Sequence, residues 1–137
     1  DPRILKVGCH VVNLGKLYQR EQIRDAYNSM DIMIVPSRVE SFGQVAAESL
    51  ACQTPVVAFE YSGITDIVSH KKSGYLAKPF DAKDLAAGII SLIDIGENER
   101  DRYGVVGRQH IVDNFGKINV AQKYLELISK VEGFIHE

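Results

Sequence analysis

Two glutamates, Glu40 and Glu48, bracket seven residues within the stretch 36–58, which reads Pro-Ser-Arg-Val-Glu-Ser-Phe-Gly-Gln-Val-Ala-Ala-Glu-Ser-Leu-Ala-Cys-Gln-Thr-Pro-Val-Val-Ala. The order is that of a strand end, a glycine turn at Gly43, an apolar helix bearing one carboxylate, and a second strand. Glu48 lies among Val45, Ala46, Ala47, Leu50, Ala51 and Cys52. The helix is therefore apolar nearly all round and is expected to be buried between a sheet and neighbouring helices. A buried carboxylate without a partner costs several kcal/mol, so a donor must meet Glu48, and a bound ligand is one source of that donor.

The elements that must position these groups follow from periodicity. Residues 7–14 are short and β-branched and end at Gly15, which suits a buried strand and a loop. Ile23, Ala26, Tyr27 and Met30 then recur at three and four residues, giving a helix with one apolar face. Ile32 to Val35 before Pro36 is a continuous apolar run, the pattern of a parallel strand covered on both faces, and Val56 to Phe59 repeats it. Tyr75 to Ala77 reads as a further strand. Asp81 and Asp84 resemble a capping pair opening a helix whose inward stripe is Leu85, Ile89, Leu92 and Ile93, with Gly96 as the stop. Residues 97–114 read as a helix with a polar face, and Ala121, Tyr124, Leu125, Ile128 and Val131 mark a terminal amphipathic helix. Strands alternating with helices at this spacing predict βαβ units and an α/β fold with a parallel sheet.

Composition narrows the function classes. At 137 residues, 45% hydrophobic and 25% charged, the chain has the size and make-up of one soluble domain. A net charge of −2 with scattered Lys and Arg provides no basic stripe, so a nucleic-acid partner is not expected. Cys9 and Cys52 stand apart from each other and from any His cluster, which suggests reduced core thiols rather than a disulfide or zinc site. The four histidines share no spacing, and the six tyrosines read as packing residues. The longest apolar stretch, residues 85–95, is interrupted by Asp94 and too short to span a bilayer.

The Glu40/Glu48 segment, with Ser41-Phe42-Gly43 after the first glutamate, resembles the signature of retaining nucleotide-sugar glycosyltransferases of the GT-B fold, the glycosyl transferases group 1. The likeness continues in order through Thr54-Pro55-Val56-Val57-Ala58, Ser62-Gly63-Ile64-Thr65-Asp66-Ile67-Val68 and Ser73-Gly74-Tyr75-Leu76. It implies a Rossmann-like parallel sheet with helices on both faces, part of the C-terminal domain of such an enzyme. Residues 1–137 would be one domain, the later portion of the nucleotide-sugar-binding domain, with the N-terminal acceptor domain and the first phosphate-binding turn absent. Such a fragment is expected to be inactive by itself. The chain departs from the family at Ser62, where Gly is commoner, at Asp66, where Glu is, and at Gln53, where Gly commonly follows the helix.

What the resemblance implies for the site is specific. The substrate is a nucleoside-diphosphate sugar from which a hexose passes, with retention, to a saccharide or lipid-linked acceptor bound by the missing domain. Phosphate and donor sugar would sit on Ser41, Phe42, Gly43, Gln44 and Val45, at the positive end of the helix dipole. Glycine at position 43 would admit close approach of the ligand. Glu48 would accept hydrogen bonds from the ribose hydroxyls. Glu40 would be the catalytic residue, orienting the sugar and stabilising an oxocarbenium-like centre. Asn13 and Leu14, after the first predicted strand, would read the base. No cofactor and no metal is expected, because basic residues and helix N–H groups take the metal's place. The resemblance also implies a cytoplasmic enzyme of polysaccharide biosynthesis with peripheral contact at the cytosolic membrane face. The terminal helix, which in the family crosses back to the other domain, would be exposed here and favour self-association. The competing possibility is a noncatalytic nucleotide-binding or assembly module of the same fold. In that case Glu40 would be an ordinary loop carboxylate beside Arg38 and Glu48 a solvated helix residue.

Overall fold

The computed structural model describes residues 10–135, with side chains as far as residue 131. Three parallel strands, β1 (Met33–Val35), β2 (Val56–Phe59) and β3 (Gly74–Ala77), lie side by side in that order. They alternate with α1 (Arg20–Asn28), α2 (Gln44–Ala51), the single turn α3 (Ile64–Ile67) and α4 (Ala82–Asp94), followed by α5 (Glu97–Phe115) and α6 (Lys117–Ile135). The central strand β2 is buried along its whole length. Val56 and Ala58 join Val35, Ala46, Ala47, Leu50, Ile64, Ile67, Leu76 and Ile111 in the core on one face. On the other face Tyr75, paired with Val57, lies under Gly88 of α4. Helices thus cover both faces, as expected of a Rossmann-like sheet.

Several elements form where periodicity placed them. The inward residues of α1 are Ile23, Ala26 and Tyr27, with Met30 just beyond its end, and β2 has the expected bounds. Where expectation and structure differ, the cause is tertiary. Of the predicted first strand, residues 7–9 and with them Cys9 lie outside the described residues. His10 to Leu14 form no strand, and Val11, Val12 and Leu14 are exposed, since no neighbouring strand pairs with them among the described residues. The β1 run is not covered on both faces either. This strand is an edge of the described sheet, and Ile34 is 40% exposed while Val35 is buried.

In α4, Leu92 and Gly88 are buried whereas Ile90 and Ile93 face out, so the expected inward place of Ile93 is corrected. A glycine takes the inner position because a Cβ there would stand 2.4 Å from the Tyr75 ring. The α6 residues Tyr124, Leu125, Leu127, Ile128 and Val131 are all more than half exposed. No helix among the described residues is long and apolar enough to cross a membrane.

Asp81 caps α4, accepting from the Lys83 and Asp84 amides at 2.9 and 3.1 Å. Asp84 does not reach back to complete a capping pair. Its carboxylate instead accepts from the Lys78 amide at 2.7 Å and the Tyr75 hydroxyl at 2.9 Å, tying α4 to the end of β3. These two donors, the backbone one foremost, hold the Asp84 carboxyl below its ordinary value of 3.8. A carboxyl whose folded-state pKa is depressed contributes stability above its unfolded value and loses it as pH falls through the folded one. Wild type is therefore expected to exceed Asp84→Asn in stability at pH 7, with the gap closing below about pH 4. Urea unfolding at pH 7 and pH 3 measures this, and a gap independent of pH would contradict it.

Candidate functional site

The carboxyl-terminal strand ends and their loops form one rim. Open parallel sheets bind ligands at this edge. After β1 the chain passes through Arg38, Val39 and Glu40 to Gly43, the N-cap of α2, in a left-handed conformation (φ 86°). After β2 it turns through Tyr61, Ser62 and Gly63. The two loops are joined: the Ser62 hydroxyl and the Gly63 amide, the latter at 3.2 Å, both donate to the Glu40 carbonyl. A Cβ on Gly63 would stand 2.4 Å from the Ser41 carbonyl oxygen, so only glycine permits this approach. Ser62 sits at φ 57°, a conformation that favours glycine and that accounts for glycine being commoner there in the family the sequence resembles.

The backbone of Glu40 is therefore fixed, while among the described residues no protein donor meets its half-buried carboxylate. Arg38 does not pair with it. The guanidinium lies over the Phe80 ring, 5.5 Å from the centroid, beside an aromatic group formed by Phe59, Tyr61 and Phe80. The ordinary loop pairing of Arg38 with Glu40 is thereby set aside.

Among the described residues no side chain caps the N-terminus of α2. Its first intrahelical bond is Ala47 N–H to the Gly43 carbonyl at 3.0 Å, which leaves the opening amides directed to the rim. No acidic residue stands in this turn to offset the positive end of the helix. Glycine at 43 is required by the protein's own packing as well. A Cβ would lie 2.8 Å from Ile64 Cδ1, so the positive φ and the packing of Ile64 both require glycine before any ligand is considered.

Glu48 is half-buried, and the helix is not enclosed all round: Ala46, Ala47, Ser49 and Leu50 are buried, but Gln44 and Val45 are exposed. The donors that the carboxylate requires are supplied, at least in part, by the protein itself. The Tyr27 hydroxyl donates to Oε2 at 3.1 Å and the Gln44 amide to Oε1 at 2.9 Å. Burial first, and the Glu48 charge second, push the Tyr27 hydroxyl up to about 12. Sequence reasoning assigned Tyr27 to packing. Its place on the inward stripe of α1 was readable, but a contact 21 residues away along the chain was not.

Of the other candidates, Ser41 and Gln44 lie on the rim with Gly43. Phe42 and Val45 are exposed, and the Phe42 ring turns to Phe115 of α5, edge to face at 5.3 Å. Asn13 and Leu14 are exposed, and Asn13 Oδ1 accepts from the Gly15 amide at 2.8 Å in a local turn. No hydrogen bond among the described residues joins them to the Glu40–Glu48 segment. The end of α2 is not altered by Gln53. This residue adopts φ 63°, while Gln53 N–H bonds the Leu50 carbonyl and Thr54 N–H the Ser49 carbonyl at 2.9 and 3.0 Å, a Schellman turn. Burial pushes the Cys52 thiol up against the opposing pull of Arg108.

Comparison with known proteins gives the family. The family model described as glycosyl transferases group 1 matches residues 3–110. Alpha-maltose-1-phosphate synthase of Mycolicibacterium smegmatis is 32% identical over 117 residues, 80% of this chain and 30% of that protein. D-inositol 3-phosphate glycosyltransferase 2 of Catenulispora acidiphila is 40% identical over 84 residues, 61% of this chain and 20% of that one. The chain thus spans less than a third of the length of these relatives.

Among solved structures, sucrose-phosphate synthase from Thermosynechococcus elongatus aligns with a TM-score of 0.67 at 29% identity, over 80% of this chain and 28% of its own. Anabaena Alr3699/HepE in complex with UDP-glucose aligns with a TM-score of 0.70 at 26% identity, over 81% and 30%. With the family model covering most of its length and solved structures aligning over about four fifths of it, the chain belongs to the glycosyl transferases group 1, of the GT-B fold.

Proposed function

We propose that the rim formed by Glu40, the α2 N-terminus and Glu48 is the donor site of a retaining transferase that moves a hexose from a nucleoside diphosphate to a saccharide or lipid-linked acceptor. The observation that carries this reading is the uncapped helix end with a carboxylate on each side of it. Glu40 precedes α2 on a pinned loop, and Glu48 lies in the helix's second turn. Amides of Gln44 and Val45 would bind phosphate oxygens, with Ser41, Phe42 and Gly43 against the donor sugar. Glu48 would take the ribose hydroxyls, and Asn13 and Leu14 would flank the base.

In the reaction the bond between the anomeric carbon and the diphosphate oxygen breaks, with its electron pair leaving on the diphosphate. The acceptor hydroxyl oxygen bonds the same carbon from the same face, its O–H bond breaking as the proton passes to the departing diphosphate oxygen. Glu40, close to the sugar ring, would stabilise the positive charge that develops there rather than form a covalent adduct. Helix amides and basic residues from other parts of the protein would neutralise the phosphates, so no metal is required. Alr3699/HepE, whose complex with UDP-glucose aligns with most of this chain, favours a nucleotide-sugar donor.

Equilibrium binding of UDP-, GDP- and ADP-glucose to the protein that carries this chain, side by side and in EDTA, tests the reading. One of the three is expected to bind with micromolar affinity, and binding of none would refute it.

A further inference from the structure

We propose that Tyr27 is a positioning residue of the donor site, holding with Gln44 the Glu48 carboxylate in the orientation that accepts a vicinal diol. The proposal rests on the reading of Glu48 as the ribose ligand and adds a residue from outside the motif.

An ionised carboxylate has about four lone-pair sites, two on each oxygen. Tyr27 fills one on Oε2 and Gln44 one on Oε1, at 3.1 and 2.9 Å, so each oxygen keeps one acceptor site. One free site per oxygen matches the two adjacent O–H donors of a ribose, and a carboxylate held from both oxygens cannot rotate away from them.

The two holders differ in rigidity. Gln44 is exposed and bonds one helical turn along its own helix. Tyr27 is 8% exposed and comes from α1. Its carbonyl accepts from the buried Thr54 hydroxyl at 2.8 Å, which locks the end of α1 to the turn before β2. Tyr27 is thus a fixed reference point for the carboxylate, and its hydroxyl, titrating only near 12, stays a donor throughout the physiological range. A tyrosine needed for packing alone would serve equally well as phenylalanine.

The test measures how strongly the protein prefers a ribonucleotide over its 2′-deoxy counterpart, using the tightest binder among UDP, GDP and ADP. Wild type is expected to prefer the ribo form about tenfold. Glu48→Gln should abolish most of that preference. Tyr27→Phe, which keeps the ring and removes the donor, should reduce it severalfold and change nothing further in the Glu48→Gln background.

An unchanged preference in Glu48→Gln would overturn the ribose reading and this proposal with it, as would the failure of all three nucleotides to bind. A preference lost in Glu48→Gln but intact in Tyr27→Phe would overturn the role of Tyr27 alone. Should Tyr27→Phe not fold, Gln44→Met at its exposed position decides: a reduced preference supports the two-sided hold, and a full preference refutes it.

Discussion

Replacing Glu40 with glutamine in the protein that carries this chain is expected to lower kcat by roughly 10²- to 10³-fold while leaving donor affinity within about threefold. The loop supports this split. The Glu40 backbone is held by Ser62 and Gly63 through its carbonyl, a bond that the substitution leaves in place. The side chain makes no hydrogen bond among the described residues, so its loss disturbs no protein partner. Stability should therefore stay within about 0.5 kcal/mol of wild type, as for other substitutions away from packed groups. On the proposed reading, what would disappear is a negative charge beside a centre that becomes positive only in the transition state, and such an effect falls on kcat rather than on binding. Single-turnover rates at saturating donor measure it directly. A kcat within tenfold of wild type would remove Glu40 from the chemistry.

Gly104→Ala is expected to destabilise the domain by about 3 kcal/mol. Helix propensity argues the other way, since alanine is better than glycine inside a helix by about 1 kcal/mol. Sterics decides the sign. A Cβ at position 104 would stand 2.0 Å from the Gln53 carbonyl oxygen and 2.8 Å from its carbon, and both are backbone atoms of the Schellman turn that ends α2. Neither can step aside without breaking that turn or lifting α5 from the core. Gly107 provides the comparison. There the nearest atom is Leu50 Cδ2 at 2.6 Å, the end of a side chain that can shift, so Gly107→Ala should cost less. Urea unfolding of both variants checks the order. A neutral Gly104→Ala, or a Gly107→Ala that costs more, would show that the contact with α2 is not rigid.

The two glycines show where legibility ended. Residues 97–114 read as a polar-faced helix, and helix is what forms. The polar pattern concealed that α5 packs through Gly104, Gly107 and Ile111, because a glycine contributes nothing to a hydrophobic stripe. Gly88 of α4 is the same case against Tyr75. At the site, Gly43 was legible as the turn that opens α2, but the contact with Ile64 and the φ of 86° that already require glycine there were not. The departures at Ser62 and Gln53 were also visible. Their meaning was not, until both residues were found in the left-handed region that glycine ordinarily occupies.

By itself the sequence determined the alternation of helices and strands, the buried β2, the inward stripe of α1 and the family. Each is written in local periodicity or in a motif of contiguous residues, and periodicity records which side chains must leave water. Only the tertiary structure decided which groups meet. It left Ile34 exposed on an edge of the described sheet, kept His10 to Leu14 out of any strand, turned Arg38 to Phe80 and Phe42 to Phe115, and brought the Tyr27 hydroxyl to Glu48. A polar partner is chosen by the distance and direction between two packed elements, and no spacing along one chain segment encodes the approach of another.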